Sequence, residues 1–251
     1  MIDMSGKLHT IEVKNLKKNF KISKNKQISA LNGISFNVKQ GEIFGFIGPN
    51  GAGKTTTIKI LLGFIPSTSG EVSIMGHDAE SARFCVRIGY MPEDHSYYPH
   101  LKVKYFLKYL AELSFESGSV SEKVDKVIES FNLEKVYDMR LDDLSLGWNK
   151  KVALAAAFVD DPEIIVLDEP ISGLDPIAVE ELKSLLKECK TMNKTVLFSS
   201  HQLSEVEQIA DSICIIDKGD IVKKGHIDEL LSNSDAGSLK ELFLNAVGEH
   251  S

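Results

Sequence analysis

Residues 48–55 read G-P-N-G-A-G-K-T, which meets every fixed position of the phosphate-cradling pattern G-x-x-x-x-G-K-[ST]. Glycines at Gly48, Gly51 and Gly53 let the backbone turn with its N–H groups pointing inward. A helix starting at once behind them would aim its partial positive N-terminus at the same point. An anionic phosphate is the natural occupant. Lys54 would place its ammonium on the β- and γ-phosphates of a nucleotide, and the Thr55 hydroxyl would complete a magnesium shell on the same oxygens. Pro49, Asn50, Ala52 and Thr56 belong to the same nucleotide-contacting stretch.

A second group of acids stands further along. Asp168 and Glu169 follow the apolar run Ile164 to Leu167, and ligands of open α/β sheets bind at the carboxyl ends of such strands. Asp168 can hold magnesium there, directly or through water, and Glu169 can polarise an attacking water; the bland alternative is a polar strand terminus. Glu93 emerges from a strand candidate, Arg87 to Met91, through Pro92. It could hold magnesium or orient a water, or be one of the many glutamates that surface loops carry. His201, just past the run Thr195 to Phe198, could hydrogen-bond a γ-phosphate and sense its loss, or be merely solvated. Ser145 and Gly147 in L-S-L-G-W could form a small anion-binding nest, or Ser145 could only cap a helix. Asp175 before Pro176 is an ideal helix start, compatible with a further role. Phe20 could stack on a nucleotide base or close a strand end in the core.

The elements that must position these residues are legible in outline. Ile43 to Ile47 reads as a strand entering the cradle, and Thr55 to Leu62 as the helix leaving it. Ile11 to Phe20 and Ile34 to Val38 alternate as half-buried antiparallel strands, with a lysine-rich loop expected between them. Glu71 to Met75 is another short strand. From Val103 to Arg140 the texture becomes helical, with Leu107, Leu110 and Ala111, then Val124, Val127, Ile128 and Phe131, at helical spacing. An apolar helix is expected from about Lys151 to Val159. Ile164 to Leu167 and Thr195 to Phe198 read as buried parallel strands. A helix follows Pro176, and another ends near Ala210. A hairpin joins Cys214–Ile216 to Ile221–Val222 through D-K-G-D, and Ser238 to Glu241 reads as a capping-box start to a terminal helix.

Composition narrows the partners. The 251 residues suffice for one well-buried core with an inserted subdomain. A net charge of -7, from 29 basic against 36 acidic residues, argues against nucleic acid, which needs basic surface. Cys85, Cys189 and Cys214 are widely spaced and form no C-x-x-C pair, so they are expected to be buried structural thiols in a reducing compartment. The N-terminus lacks an apolar signal core, and the run Val152 to Val159 falls far short of the ~20 residues that cross a bilayer. The expectation is a soluble, cytoplasmic chain.

In order and setting, these pieces resemble the ATP-binding subunit of an ABC transporter over nearly the whole length. Gly48 to Thr55 matches that family's Walker A motif, Ile164 to Glu169 its Walker B with catalytic glutamate, Ser172 to Asp175 its D-loop, His201 its switch histidine and Phe20 its aromatic A-loop position. The resemblance implies an α/β fold: a P-loop NTPase (RecA-like) core, an N-terminal antiparallel β subdomain and an inserted α-helical subdomain. The core and β subdomain would occupy 8–98 and 160–225, the helical subdomain with the signature segment 99–159, and a short helical tail 226–251. It also implies ATP and Mg2+ as cofactors, a head-to-tail dimer of cassettes with each ATP between one cradle and the Ser145–Gly147 segment of the other, and a separate transmembrane permease. The homodimer is the simplest form and a heterodimer stays open. The chain would sit peripherally on the cytoplasmic face of the cell membrane, with Tyr97, Tyr98, Pro99 and the helical insertion receiving the permease.

Two departures stand out. Glu93 occupies the lid position where the family usually has glutamine, a variant familiar in single-cassette exporters of the ABC-2 type, which implies export. The signature, usually L-S-G-G-Q, is L-S-L-G-W, so that Leu146 replaces a glycine that approaches the γ-phosphate closely. A cytosolic ATP-dependent assembly factor on the same cassette, and a regulatory subunit with a weakened signature, are the competing readings.

Overall fold

A computed structural model of the chain describes residues 9–23, 26–94, 98–113 and 119–250. Residue 8, one of the expected domain limits, and Tyr97, in the expected permease-facing loop, lie outside them. The elements run β1 (His9–Ser23), β2 (Lys26–Lys39), β3 (Ile43–Ile47), α1 (Lys54–Leu61), β4 (Ser69–Ile74), β5 (His77–Asp78), α2 (Ala79–Cys85) and β6 (Ile88–Met91). Then come α3 (Val103–Glu112), α4 (Val120–Ser130), a 3-10 turn at Leu141–Asp143, α5 (Leu146–Phe158), β7 (Ile164–Leu167), α6 (Pro176–Thr191) and β8 (Thr195–Ser200). The chain closes with α7 (Leu203–Ile209), β9 (Ser212–Asp217), β10 (Asp220–His226), α8 (Ile227–Ser232) and α9 (Leu239–His250).

Two sheets carry the fold. One is antiparallel, in the order β2-β1-β4-β5, and the other has six strands in the order β10-β9-β3-β8-β7-β6. In the larger sheet β9, β3, β8, β7 and β6 run parallel, and β10 closes the edge as an antiparallel hairpin partner of β9. Its inner strands are buried on both faces, as parallel strands under two covering layers must be. The period-2 alternation assigns each side chain a layer. Ile43 and Ile47, Ile165 and Leu167, and Val196 and Phe198 face a core shared with the helices. Phe44 and Phe46, Ile164 and Val166, and Leu197 face a second core shared with α1 and the antiparallel sheet. There Phe36 stacks on Phe44 and Phe46 at 5.6 and 5.3 Å between ring centroids.

The helical stretch buries the stripes that its spacing sets. Val103, Phe106, Leu107 and Ala111 of α3, and Val124, Val127 and Ile128 of α4, enter the first core. The parallel arrangement has one consequence for function. The carboxyl ends of β3, β7 and β8 lie along one edge of the sheet, so Gly48, Asp168, Glu169 and His201 emerge side by side.

Three expectations need correction. The lysine-rich segment after Phe20 is not a loop: β1 continues to Ser23, β2 begins at Lys26, and Phe20 pairs with Ile28 and Ser23 with Lys26. This end of the hairpin is exposed on both faces, so no one-sided apolar alternation marks it. The helix expected from Lys151 starts at Leu146, so that Leu146, Gly147 and Trp148 of the L-S-L-G-W segment belong to its first turn, capped by Ser145. Cys85 is exposed at the end of the short helix α2, whereas Cys189 and Cys214 are buried.

Candidate active site

The cradle is built by two kinds of glycine. Gly51 and Gly53 have φ of 81° and 114°, left-handed conformations that a side chain penalises. Gly48 lies outside that region and serves by close approach, since a Cβ built there would stand 2.2 Å from the Ile216 carbonyl oxygen of β9. The turn is pinned from both sides: the Ala52 N–H bonds the Pro49 carbonyl, and the Gly219 N–H of the β9–β10 turn bonds the Ala52 carbonyl. Lys54, the first residue of α1, is buried and bends back over the loop, donating to the Gly48 carbonyl at 2.7 Å and to that of Pro49 at 3.4 Å.

Across the cradle stands Glu169. Its Oε1 lies 3.2 Å from Lys54 Nζ, and its Oε2 lies 2.8 Å from His201 Nδ1. Both members of the Lys54–Glu169 pair are only 6% exposed, while His201 is 47% exposed. A carboxylate is thus held between a buried ammonium and an imidazole at the solvent rim. Glu169 has a φ of 51°, a strained conformation for a residue with a Cβ. The penultimate residue of β8 braces it: Ser199 Oγ accepts from the Glu169 N–H at 2.9 Å and donates to Asp168 Oδ1 at 2.6 Å. Asp168 is fully buried, and its Oδ2 has no hydrogen-bond partner.

Between these groups opens a cleft of about 350 Å³, lined by Ala30, the loop residues Pro49, Asn50, Gly51 and Gly53, by Lys54, Thr55 and Thr56, and by Glu93 and Glu169. Its polar lining, inward backbone and single lysine suit a polyphosphate. The Thr55 hydroxyl and the Glu93 carboxylate line this cleft, and the buried, unpartnered oxygen of Asp168 stands at the carboxyl end of β7; oxygen donors of this kind suit a divalent cation such as magnesium. Among the described residues there is no cluster of three or more acidic, His or Cys side chains able to hold a metal. Magnesium takes one or two protein ligands and leaves the rest to substrate phosphates and water.

Other expected residues stand apart from this cleft. Phe20 is 40% exposed on the open end of the hairpin, beneath the Lys18 ammonium at 4.9 Å from the ring centroid, and is not part of the cleft wall. Ser145 caps α5 through the Trp148 N–H, and Asp175 caps α6 through the N–H groups of Ile177 and Ala178 at 2.9 and 3.0 Å. Neither these two nor Gly147 lines the cleft of its own chain. A Cβ at Gly147 would meet open space, and Leu146 beside it is 64% exposed. Spacing did not single out Ser199 or Lys150. A serine near the end of a fully buried strand is a usable signal for the first; nothing local marks the second.

Comparison with known proteins decides the family. The family model described as ABC transporter matches residues 31–172, more than half of the chain. The chain belongs to the ABC transporter family. An ABC transporter ATP-binding protein of Synechocystis is 36% identical over 84% of this chain and 60% of its own length. The bacitracin transport ATP-binding protein of Enterococcus faecalis is 37% identical over 88% of this chain and 71% of its own. This ABC chain therefore spans three fifths to seven tenths of those relatives' lengths. Among solved structures, an ATP-binding subunit of an ABC transporter superposes with a TM-score of 0.84 at 29% identity, covering 95% of this chain and 99% of that one. A dimeric bacterial ABC transporter cassette gives 0.79 at 25% identity, covering 86% and 98%. The protein is an ABC ATP-binding cassette with the P-loop NTPase fold, and these cassettes are ATPases. No helix among the described residues is long and apolar enough to cross a membrane.

Proposed function

We propose that this cassette hydrolyses ATP to power export through a separate membrane permease, working as a head-to-tail dimer on the cytoplasmic face of the cell membrane. The observation that carries the reading is the Lys54–Glu169–His201 constellation at the rim of the phosphate cradle. Lys54 neutralises the β- and γ-phosphates. Glu169 takes a proton from the water that attacks the γ-phosphorus as the bond to ADP breaks. His201, fixed through Nδ1 by Glu169, presents its other ring nitrogen to the γ-phosphate. Bound magnesium would supply charge neutralisation at the phosphates, and Thr55, Glu93 and Asp168 are the residues that would hold it.

A second copy completes the site in this reading. Ser145, Gly147 and Asp175 lie outside the cleft of their own chain, and the N-terminus of α5, where the Ser145 cap takes up the Trp148 N–H only, suits a phosphate brought by another molecule. The dimeric cassette among the structural neighbours supports this arrangement. Phe20 is the candidate for stacking on the adenine. The permease would meet the exposed aromatic face where Tyr98 packs edge-on to Tyr109 at 5.7 Å, beside exposed Tyr105 and Leu113. Export is favoured by the acid at position 93. The division into a core with its β subdomain, a helical subdomain and a tail belongs to the same proposal.

Glu169→Gln tests the assignment of the base. It removes the proton acceptor while keeping size and one hydrogen bond. Phosphate release should fall ~10²–10⁴-fold with ATP affinity held within about threefold, and wild-type turnover would refute the assignment.

A further inference from the structure

Lys150 is buried on α5, four residues into the helix that Ser145 caps. Only 4% of it is exposed, and its ammonium leaves the helix to donate to the Glu169 carbonyl at 2.9 Å and to the Ser172 carbonyl at closer range. Burial lowers its pKa; the opposing attraction comes first from Glu169 and then from Glu93. One lysine therefore touches the carbonyl of the strained acid, the turn leading to Asp175, and the field of the acid at the cleft wall. A buried lysine is costly unless its donors are satisfied, and an apolar side chain like those of Val152 to Ala155 on the same helix would fill this position without that cost.

We infer that Lys150 is a positioning residue for hydrolysis, clamping the Glu169–Ser172 turn to the start of α5. It acts through the backbone of Glu169 and touches neither nucleotide nor water. With φ at 51°, Glu169 stays in place only while its surroundings over-determine it. Ser199 holds its N–H and Lys150 its carbonyl, so the peptide groups on both sides of the carboxylate are fixed. The same clamp fastens the helix that would close over the ATP of a second copy to the acid that serves the ATP of its own. A displacement of α5 on dimer closure thereby reaches Glu169 directly. This inference rests on Glu169 being the base.

The test measures phosphate release by the full chain across a range of Mg-ATP concentrations, for wild type, Lys150→Met, Lys150→Arg and Glu169→Gln. Methionine keeps the stem and its packing but donates nothing; arginine keeps the donors. Lys150→Met should lower kcat at least about tenfold with KM for ATP within about twofold, and Lys150→Arg should recover a third or more of the wild-type kcat. Unchanged kcat in Lys150→Met would overturn the inference, as would a fall in which KM rises in step, or equal impairment of Lys150→Arg. Should Lys150→Met fail to fold while Lys150→Arg folds and turns over with wild-type kcat and KM, the lysine is a stability element and the inference is likewise overturned. The Glu169→Gln arm separates the two claims: substantial turnover there removes the base itself, whereas inactive Glu169→Gln beside fully active Lys150→Met removes only the clamp.

Discussion

Gly48→Ala and Gly51→Ala place one methyl group each in the same loop and should act by different physics. At Gly48 the new Cβ would stand 2.2 Å from the Ile216 carbonyl oxygen, against the 3.4 Å at which ordinary contact begins. That oxygen cannot yield easily, because Ile216 is paired with Ile221 in the β9–β10 hairpin. The phosphate loop must give way by roughly 1 Å instead, at a cost of about 1–3 kcal/mol typical of overpacking. A displacement of this size in a positioning element can cost ~10²-fold in function. At Gly51 a Cβ meets nothing within 4 Å, but φ is 81°, so the penalty is conformational, ~1–2 kcal/mol, with the loop left where it is. Thermal unfolding and titration with a fluorescent ATP analogue separate the two. Gly48→Ala should lose about 100-fold in affinity; Gly51→Ala should lose stability with affinity held within about tenfold. Folded Gly48→Ala that binds ATP like wild type, or weaker binding in Gly51→Ala than in Gly48→Ala, would refute the steric reasoning.

Two further outcomes follow from the same geometry. Burial pushes the Cys189 thiol up to about 11 and the Cys214 thiol higher still, and only Cys85 is exposed; a thiol reagent at pH 8 should therefore label one cysteine of the native chain quickly and all three after denaturation, and fast labelling of two would contradict the burial. Leu146→Gly removes a 64% exposed side chain from the helix start proposed to face a second ATP; kcat should rise severalfold at a stability cost of about 1 kcal/mol or less, and an unchanged rate would mean that leucine clears the phosphate.

What the sequence made legible was the part with strict local rules. Gly48 to Thr55 could be placed between a strand and a helix because φ > 0, close approach and an inward N–H row each demand glycine at a fixed spacing. Ile164 to Leu167 and Thr195 to Phe198 stood out because strands buried on both faces are apolar throughout. The rest depended on information that local pattern does not hold. The far end of the β1–β2 hairpin is exposed on both sides, so its lysines looked like a loop. The first turn of α5 was missed because Leu146, Gly147 and Trp148 show no one-faced periodicity on a helix that is apolar nearly all round. Lys150 carries no local signal, since its partners are two backbone carbonyls about twenty residues away. Cys85 went wrong for a related reason: a cysteine on a short helix is buried only if another element covers it. The side-by-side placement of Glu169, Lys54 and His201 follows from strand order, which spacing alone does not supply.

The central claim is that each cradle is half of a site and that ATP brings two copies together. Its most direct measurement is the solution mass of Glu169→Gln by light scattering, with and without Mg-ATP. The account predicts a particle near 27.7 kDa without nucleotide and roughly twice that mass with it, as a closed two-fold assembly requires. A species that binds ATP yet stays at the mass of one chain would contradict it.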